Sequence, residues 1–128
     1  MAQQAGSGES RTVASLIARL RARHVEVARS LLPGGRLRAD VLLYVSDLFA
    51  ELEALAQGLR LLRELTPRTT DYLVSRGERL SARLVAAALE AGGTQARFVD
   101  AMDLVHTDAH FGQAAPDYAR TDRAVHRI

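Results

Sequence analysis

Two runs of apolar residues, separated by Pro33-Gly34-Gly35, constrain this chain more than any other feature. In the first, Val13, Ile17, Leu20, His24, Val27 and Leu31 recur in steps of four and three, the spacing that lines one face of an α-helix. In the second, Val41, Val45, Leu48, Leu52, Leu55, Leu59 and Leu62 repeat the pattern, and Leu42, Phe49 and Ala56 widen it into a core-facing surface. Proline cannot continue a helical hydrogen-bond ladder and glycine accepts the left-handed exit, so the segment between the runs reads as a short turn. The expectation is an antiparallel hairpin. Its first helix starts at an N-cap Ser10 and runs to about Leu32; the second is capped by Asp40 and runs to about Leu65.

The flanking segments read differently. Residues 1–9 are small and polar and are expected to be a disordered lead-in. Thr66-Pro67 breaks the second helix, and a third is expected from about Thr70 to Ala91, closed by Gly92-Gly93. Beyond it the period changes. Gln95 to Asp100 alternates like a strand, Leu104 to Thr107 reads as a second short strand, 108–117 as a loop, and 118–128 as weakly helical. Isolated short strands leave their ladder groups unpaired, so these imply partner strands that the chain does not contain. Residues 10–128 are therefore expected to be the helix-rich portion of an incomplete α/β domain.

Composition removes several chemistries. All seventeen basic residues are arginine, so lysine-based Schiff bases and lysine-held phosphates are excluded. There is no cysteine, hence no thiol nucleophile and no disulfide. No apolar run is long enough to span a membrane, and the start lacks the basic and apolar regions of a signal peptide; a cytoplasmic protein is the expectation. Residues 1–39 carry seven arginines against two glutamates, but Glu26 interrupts them and no aromatic lies among them to stack on bases, so a solvated helix face is expected rather than nucleic-acid binding. His106 and His110, near Asp103 and Asp108, fall on a strand and loop where their spacing does not put both rings on one face; no metal site is expected. His24, on the apolar stripe, reads as a hydrogen-bonded core residue.

The third helix holds the residues with most chemical content. Leu73, Gly77, Leu80, Leu84 and Ala87 form one stripe; Val74, Glu78, Ser81, Val85 and Ala88 form a neighbouring one. Glu78 and Ser81 thus share a face that is otherwise apolar, where a carboxylate needs a cation or hydrogen-bond donors. Two readings stand: an internal ion pair with Arg79, Arg83 or Arg97, or a role in holding a ligand.

The series Ser75-Arg76-Gly77-Glu78-Arg79-Leu80-Ser81-Ala82-Arg83-Leu84, followed by Gly92-Gly93, by Ala96 to Asp100 and by His106-Thr107-Asp108, resembles the middle of the aspartate kinase catalytic domain, in the amino-acid kinase family. Phe111-Gly112 through Pro116-Asp117 is similar to a loop some members carry there. Ser30 to Pro33 leading into Val45 to Leu48 resembles the linking helices of the bifunctional aspartate kinase branch. The resemblance covers about residues 12–128. It implies an αβα sandwich and transfer of the ATP γ-phosphate, with magnesium, to the side-chain carboxylate of L-aspartate, the first step toward lysine, threonine and methionine. It gives Glu78 the role of meeting the amino group of substrate aspartate, with Gly77 and Ser81 as supporting positions, Arg83 helping the packing, and Asp100 and Thr107 at strand ends beside the site.

The chain departs from that family where phosphate is handled. No Lys-x-Gly-Gly-Thr-Ser loop and no Arg-Gly-Gly-Ser-Asp segment is present. Phosphoryl transfer is positioning and charge neutralisation, so this chain alone is expected to bind no cofactor, to contribute no catalytic residue and to phosphorylate nothing. Its expected partners are the remainder of a kinase domain or further copies of itself. The alternative is a non-catalytic helical module that binds a partner through its apolar faces.

Overall fold

The computed structural model describes residues 2–128, with side chains from Thr12 onward. Its elements are α1 (Ala2–Leu31), α2 (Arg36–Leu62), α3 (Pro67–Ala91), α4 (Ala101–Leu104) and α5 (Tyr118–Val125). The expected hairpin is present. Only residues 32–35 separate α1 from α2, and the two pack along each other, Arg21 donating to Ser46 at 3.1 Å and the His24 and Phe49 rings lying 5.5 Å apart. So short a connection between packed helices makes them antiparallel. α3 returns along the other side of α2, which makes α2 the central helix.

The core is small and shared by three helices: Ala28 and Leu32 at the end of α1, Val41, Val45, Leu48 and Phe49 from α2, and Leu80, Leu84 and Ala87 from α3. Burying a Val, Leu or Phe side chain contributes about 1.5–3 kcal/mol each, so α2, with four such residues, holds the other two helices in place. His24 is half-buried, its Nδ1 2.7 Å from the Leu20 carbonyl, in keeping with a hydrogen-bonded core-edge histidine.

The helix ends differ from the sequence expectation for local reasons. α1 is assigned from Ala2, so Ser10 lies inside it rather than capping it; the expected lead-in at 1–9 falls outside the residues whose side chains are described. α2 starts four residues before Asp40, because Gly35 at φ 106° turns the chain early and its carbonyl accepts from Ala39. Asp40 instead meets Arg36 at 3.8 Å, one helical turn away. α2 ends at Leu62, where Arg63 takes the left-handed conformation (φ 54°) and returns its N–H to Leu59. α3 starts three residues before Thr70: the Thr66 hydroxyl caps Thr69 N–H at 3.2 Å, and Pro67 fits the first turn, where its missing N–H has no intrahelical partner to lose.

The expected strands do not form. Gln95 to Asp100 is extended but unpaired, Ala101–Leu104 is a turn of helix, and the described residues contain no strand, only an isolated bridge between Thr107 and Pro116. Alternation of side chains sets which face a strand would bury, but a ladder needs a second extended segment, and what lies beside 95–100 is helix. Its side chains dock instead: Phe98 packs edge-on against Tyr44 at 5.7 Å. The described chain is thus helical, and the αβα sandwich is not seen in it.

Candidate functional site on the outer face of α3

α3 has two faces of opposite character. Leu73, Arg76, Leu80, Leu84 and Ala87 point toward α2, Leu73 half-buried and the others buried. This is the stripe expected from sequence, except that Arg76 replaces Gly77. On the other side Asp71, Val74, Glu78, Ser81 and Val85 lie in one row, all exposed, with Val74 at 60% and Val85 at 58%. Glu78 is therefore on the apolar row that the sequence indicates, but that row faces outward.

Internal pairing does not account for Glu78. Its neighbour Arg79 is held by Asp100, Nε to Oδ2 at 2.6 Å. Arg76 meets Glu51 of α2 at 3.3 Å. Among the described residues, neither an ion pair nor a hydrogen bond engages the Glu78 carboxylate, and Arg83 and Arg97 do not reach it. Ser81 is equally free in its exposed position. Gly77 is exposed too, and a Cβ built there meets nothing within 4 Å, so no described element of this chain uses its lack of a side chain. The three positions share one open surface: a carboxylate, a hydroxyl and a glycine among valines, able to accept a cationic group.

The loop expected at 108–117 hangs at one end of this row. Gly112 donates its N–H to Asp71 Oδ2 at 2.6 Å, and the Arg68 guanidinium lies over Phe111 at 5.4 Å. Asp71 and Glu78 are seven residues apart and so lie on the same helix face, roughly 10 Å from each other along the axis. The loop is closed on itself by Asp108, whose Oδ1 accepts from the backbone of His110 (3.1 Å) and Ala115 (3.2 Å), while Oδ2 meets the His110 ring at 3.0 Å. These bonds, the His110 backbone one foremost, hold the Asp108 carboxyl below its ordinary value.

Two residues expected beside the site do other work. Asp100 caps α4, accepting from Met102 N–H at 3.1 Å, and pairs with Arg79; it stands at the start of a helix rather than the end of a strand. Thr107 forms the bridge to Pro116 at the neck of the loop.

Sequence reasoning missed the polar seam that supports α3 from behind. Arg76 is only 4% exposed, lies 3.7 Å over the Tyr72 ring, and directs Nη1 to the Met102 sulfur at 3.7 Å. Its Nε contact with Glu51, like that of Arg79 with Asp100, is a charge contact rather than an aligned hydrogen bond. Burial pushes the Tyr44 phenol above its ordinary value, with the neighbouring Arg79 guanidinium acting in the opposite sense. The available signal was Arg76 itself, three and four residues from Leu73 and Leu80 on the buried stripe.

No family model matches the chain. Curated aspartokinases do. Aspartokinase 1, chloroplastic, of Arabidopsis thaliana is 52% identical over 54 residues, 42% of this chain and 10% of that protein. The aspartokinase of Schizosaccharomyces pombe is 32% identical over 82 residues, 64% of this chain and 16% of that protein. Lysine-sensitive aspartokinase 3 of Escherichia coli is 34% identical over 81 residues, 59% of this chain and 18% of that protein. The chain spans less than a fifth of the length of each of these relatives and is similar to a part of an aspartokinase.

Proposed function

We propose that this chain is the substrate-side segment of an aspartate kinase, and that Glu78 receives the ammonium group of L-aspartate. The observation that carries this reading is the free carboxylate of Glu78 on a row with Val74, Ser81 and Val85, while each neighbouring arginine that could neutralise it is engaged elsewhere or does not reach it. A carboxylate so placed has an acceptor to offer and no internal donor to satisfy it, and an amino acid's ammonium is a suitable partner. Gly77 and Ser81, small and beside it, leave room for the rest of the substrate.

The reaction would be transfer of the ATP γ-phosphate to the side-chain carboxylate of aspartate, as the resemblance to the aspartate kinase catalytic domain implies. The residues of this chain do not fit the nucleotide and its magnesium. There is no lysine, and among the described residues no three metal-ligating side chains come together. The chain holds no lysine and no glycine-rich loop to position a transferring phosphate, so in this reading the segment contributes binding of the acceptor and not the transfer step.

The outward row of α3 also supports the expected partner, the remainder of a kinase domain or another copy, which would complete the αβα sandwich across Val74, Val85 and the 47%-exposed Leu89. No described helix is long and apolar enough to cross a membrane, and a cytoplasmic location belongs to the same proposal.

The test is Glu78→Gln in the protein that carries this segment together with a phosphate-binding loop. A hydrogen bond to a charged group contributes about 1.5–3 kcal/mol, so KM for aspartate should rise about tenfold or more with KM for ATP unchanged. Equal changes in both, or none, would overturn the assignment.

A further inference from the structure

We propose that the arginine-lined hollow at α5 binds a small phosphate-class oxyanion, either inorganic phosphate or the head of a phosphomonoester. The hollow has a volume of about 210 Å³ and is lined by His106, Arg120, Arg123, Ala124 and Arg127. That is below the roughly 300–1,000 Å³ of sites for drug-sized ligands and suits a single tetrahedral anion. It uses none of the residues around Glu78, so it stands or falls independently of the reading above.

Three arginines converge because of helical spacing. Arg120, Arg123 and Arg127 are separated by three and four residues, which puts them on one face of α5; Arg127 keeps that register because its N–H returns to the Ala124 carbonyl at 3.2 Å. His106 is tied to the same face from below. Its backbone N–H donates to the Thr121 hydroxyl at 3.1 Å, and its carbonyl accepts from Asp117 N–H at 2.8 Å. His106 is thereby held beside α5, where it lines the hollow half-buried together with the three arginines.

Among the described residues no acid answers that charge. Asp117 is occupied as the cap of α5, accepting from Arg120 N–H at 3.0 Å, and Asp122 lies on the opposite side of the helix. Among the described residues no ion pair engages Arg120, Arg123 or Arg127. Like charges one turn apart destabilise a helix, so the cluster costs the isolated fold something. Cations in the last turn are favoured by the helix dipole, which accounts for Arg123. Arg120 stands in the first turn, where that dipole opposes it, and capping therefore does not explain its place. Planar guanidinium groups match carboxylate and phosphate oxygens two at a time, but a phosphate has three or four oxygens and can engage more than one of the three arginines at once.

The experiment is a nuclear magnetic resonance titration of the 128-residue chain, following arginine Nε–H and His106 signals at constant ionic strength. Inorganic phosphate, O-phosphoserine and serine are added in turn. Saturable shifts confined to Arg120, Arg123, Arg127 and His106 are expected with phosphate, with O-phosphoserine, or with both, and none with serine. Tighter binding of O-phosphoserine identifies a monoester as the ligand, and tighter binding of phosphate the free ion. Arg120→Gln with Arg123→Gln should weaken binding at least tenfold; if that pair perturbs the helical circular-dichroism spectrum, Arg127→Gln, beyond the end of α5, gives a second reading with the same sign. Absence of saturation, or equal shifts at Arg19, Arg23 and Arg29, would overturn the site. So would binding of duplex DNA that the same variants abolish without any saturable phosphate response, which would make the face a nucleic-acid surface.

Discussion

Arg79 of α3 and Asp100 at the start of α4 meet at 2.6 Å, and this contact fastens the extended 95–100 segment to the three-helix body. Both side chains are largely withdrawn from water, 23% and 14% exposed, and Asp100 spends its second oxygen on capping α4. The segment has no strand partner, so this pair and the Phe98–Tyr44 contact stand in for a ladder.

Removing one member should therefore cost more than an exposed ion pair would. Arg79→Ala is expected to destabilise the chain by about 1–3 kcal/mol, because a partly buried carboxylate loses its cation. Urea unfolding measures the loss, and hydrogen exchange should show it concentrated at residues 95–104. A change no larger than that of a surface pair, about 0.5 kcal/mol, would show that the segment is held by packing alone.

Gly77 allows a sharper separation of fold from function. It lies inside α3 with ordinary helical backbone and open space where a Cβ would go. Gly77→Ala should stabilise the isolated chain by about 0.5–1 kcal/mol, read as a rise in Tm. In a complete enzyme the same change should impair aspartate binding if this surface receives the substrate. Destabilisation of the isolated chain would mean that Gly77 is already in close contact with something.

Acid should open the 106–117 loop before it unfolds the helices. Asp108 is held below its ordinary value chiefly by the His110 N–H, so its contribution is present above the unfolded carboxyl value, near 3.9, and is lost as pH falls through the lower folded value. Amide exchange at His110 and Ala115 should accelerate over that acidic window. Asp108→Asn should make their exchange respond to pH only through the intrinsic chemistry. An unchanged acid response in that variant would place the sensing group elsewhere.

The hairpin was legible because its information is local: a 4-3 apolar period fixes helix and face, and Pro33-Gly34-Gly35 fixes the reversal. Cap positions were less so. Asp40 suits a helix start, but the positive φ of Gly35 turns the chain so that α2 begins four residues earlier. The Glu78 row was legible as a face, since the wheel puts Val74, Glu78, Ser81 and Val85 together whatever surrounds them. Its pairing was not, because Arg79, Arg83 and Arg97 are equally available on paper and only packing assigns Arg79 to Asp100.

Sequence alone determined three amphipathic helices, their order, and the likeness of residues around Glu78 to an aspartate kinase, since periodicity and motif both reside in neighbouring residues. Tertiary structure decided which stripe of α3 is covered, that Arg76 rather than Gly77 is buried on it, and that 95–100 lies against helices instead of pairing as a strand. Those outcomes depend on what comes to rest beside a segment. A carboxylate or an extended run takes its meaning from that neighbour, and residues far apart in the chain supply it.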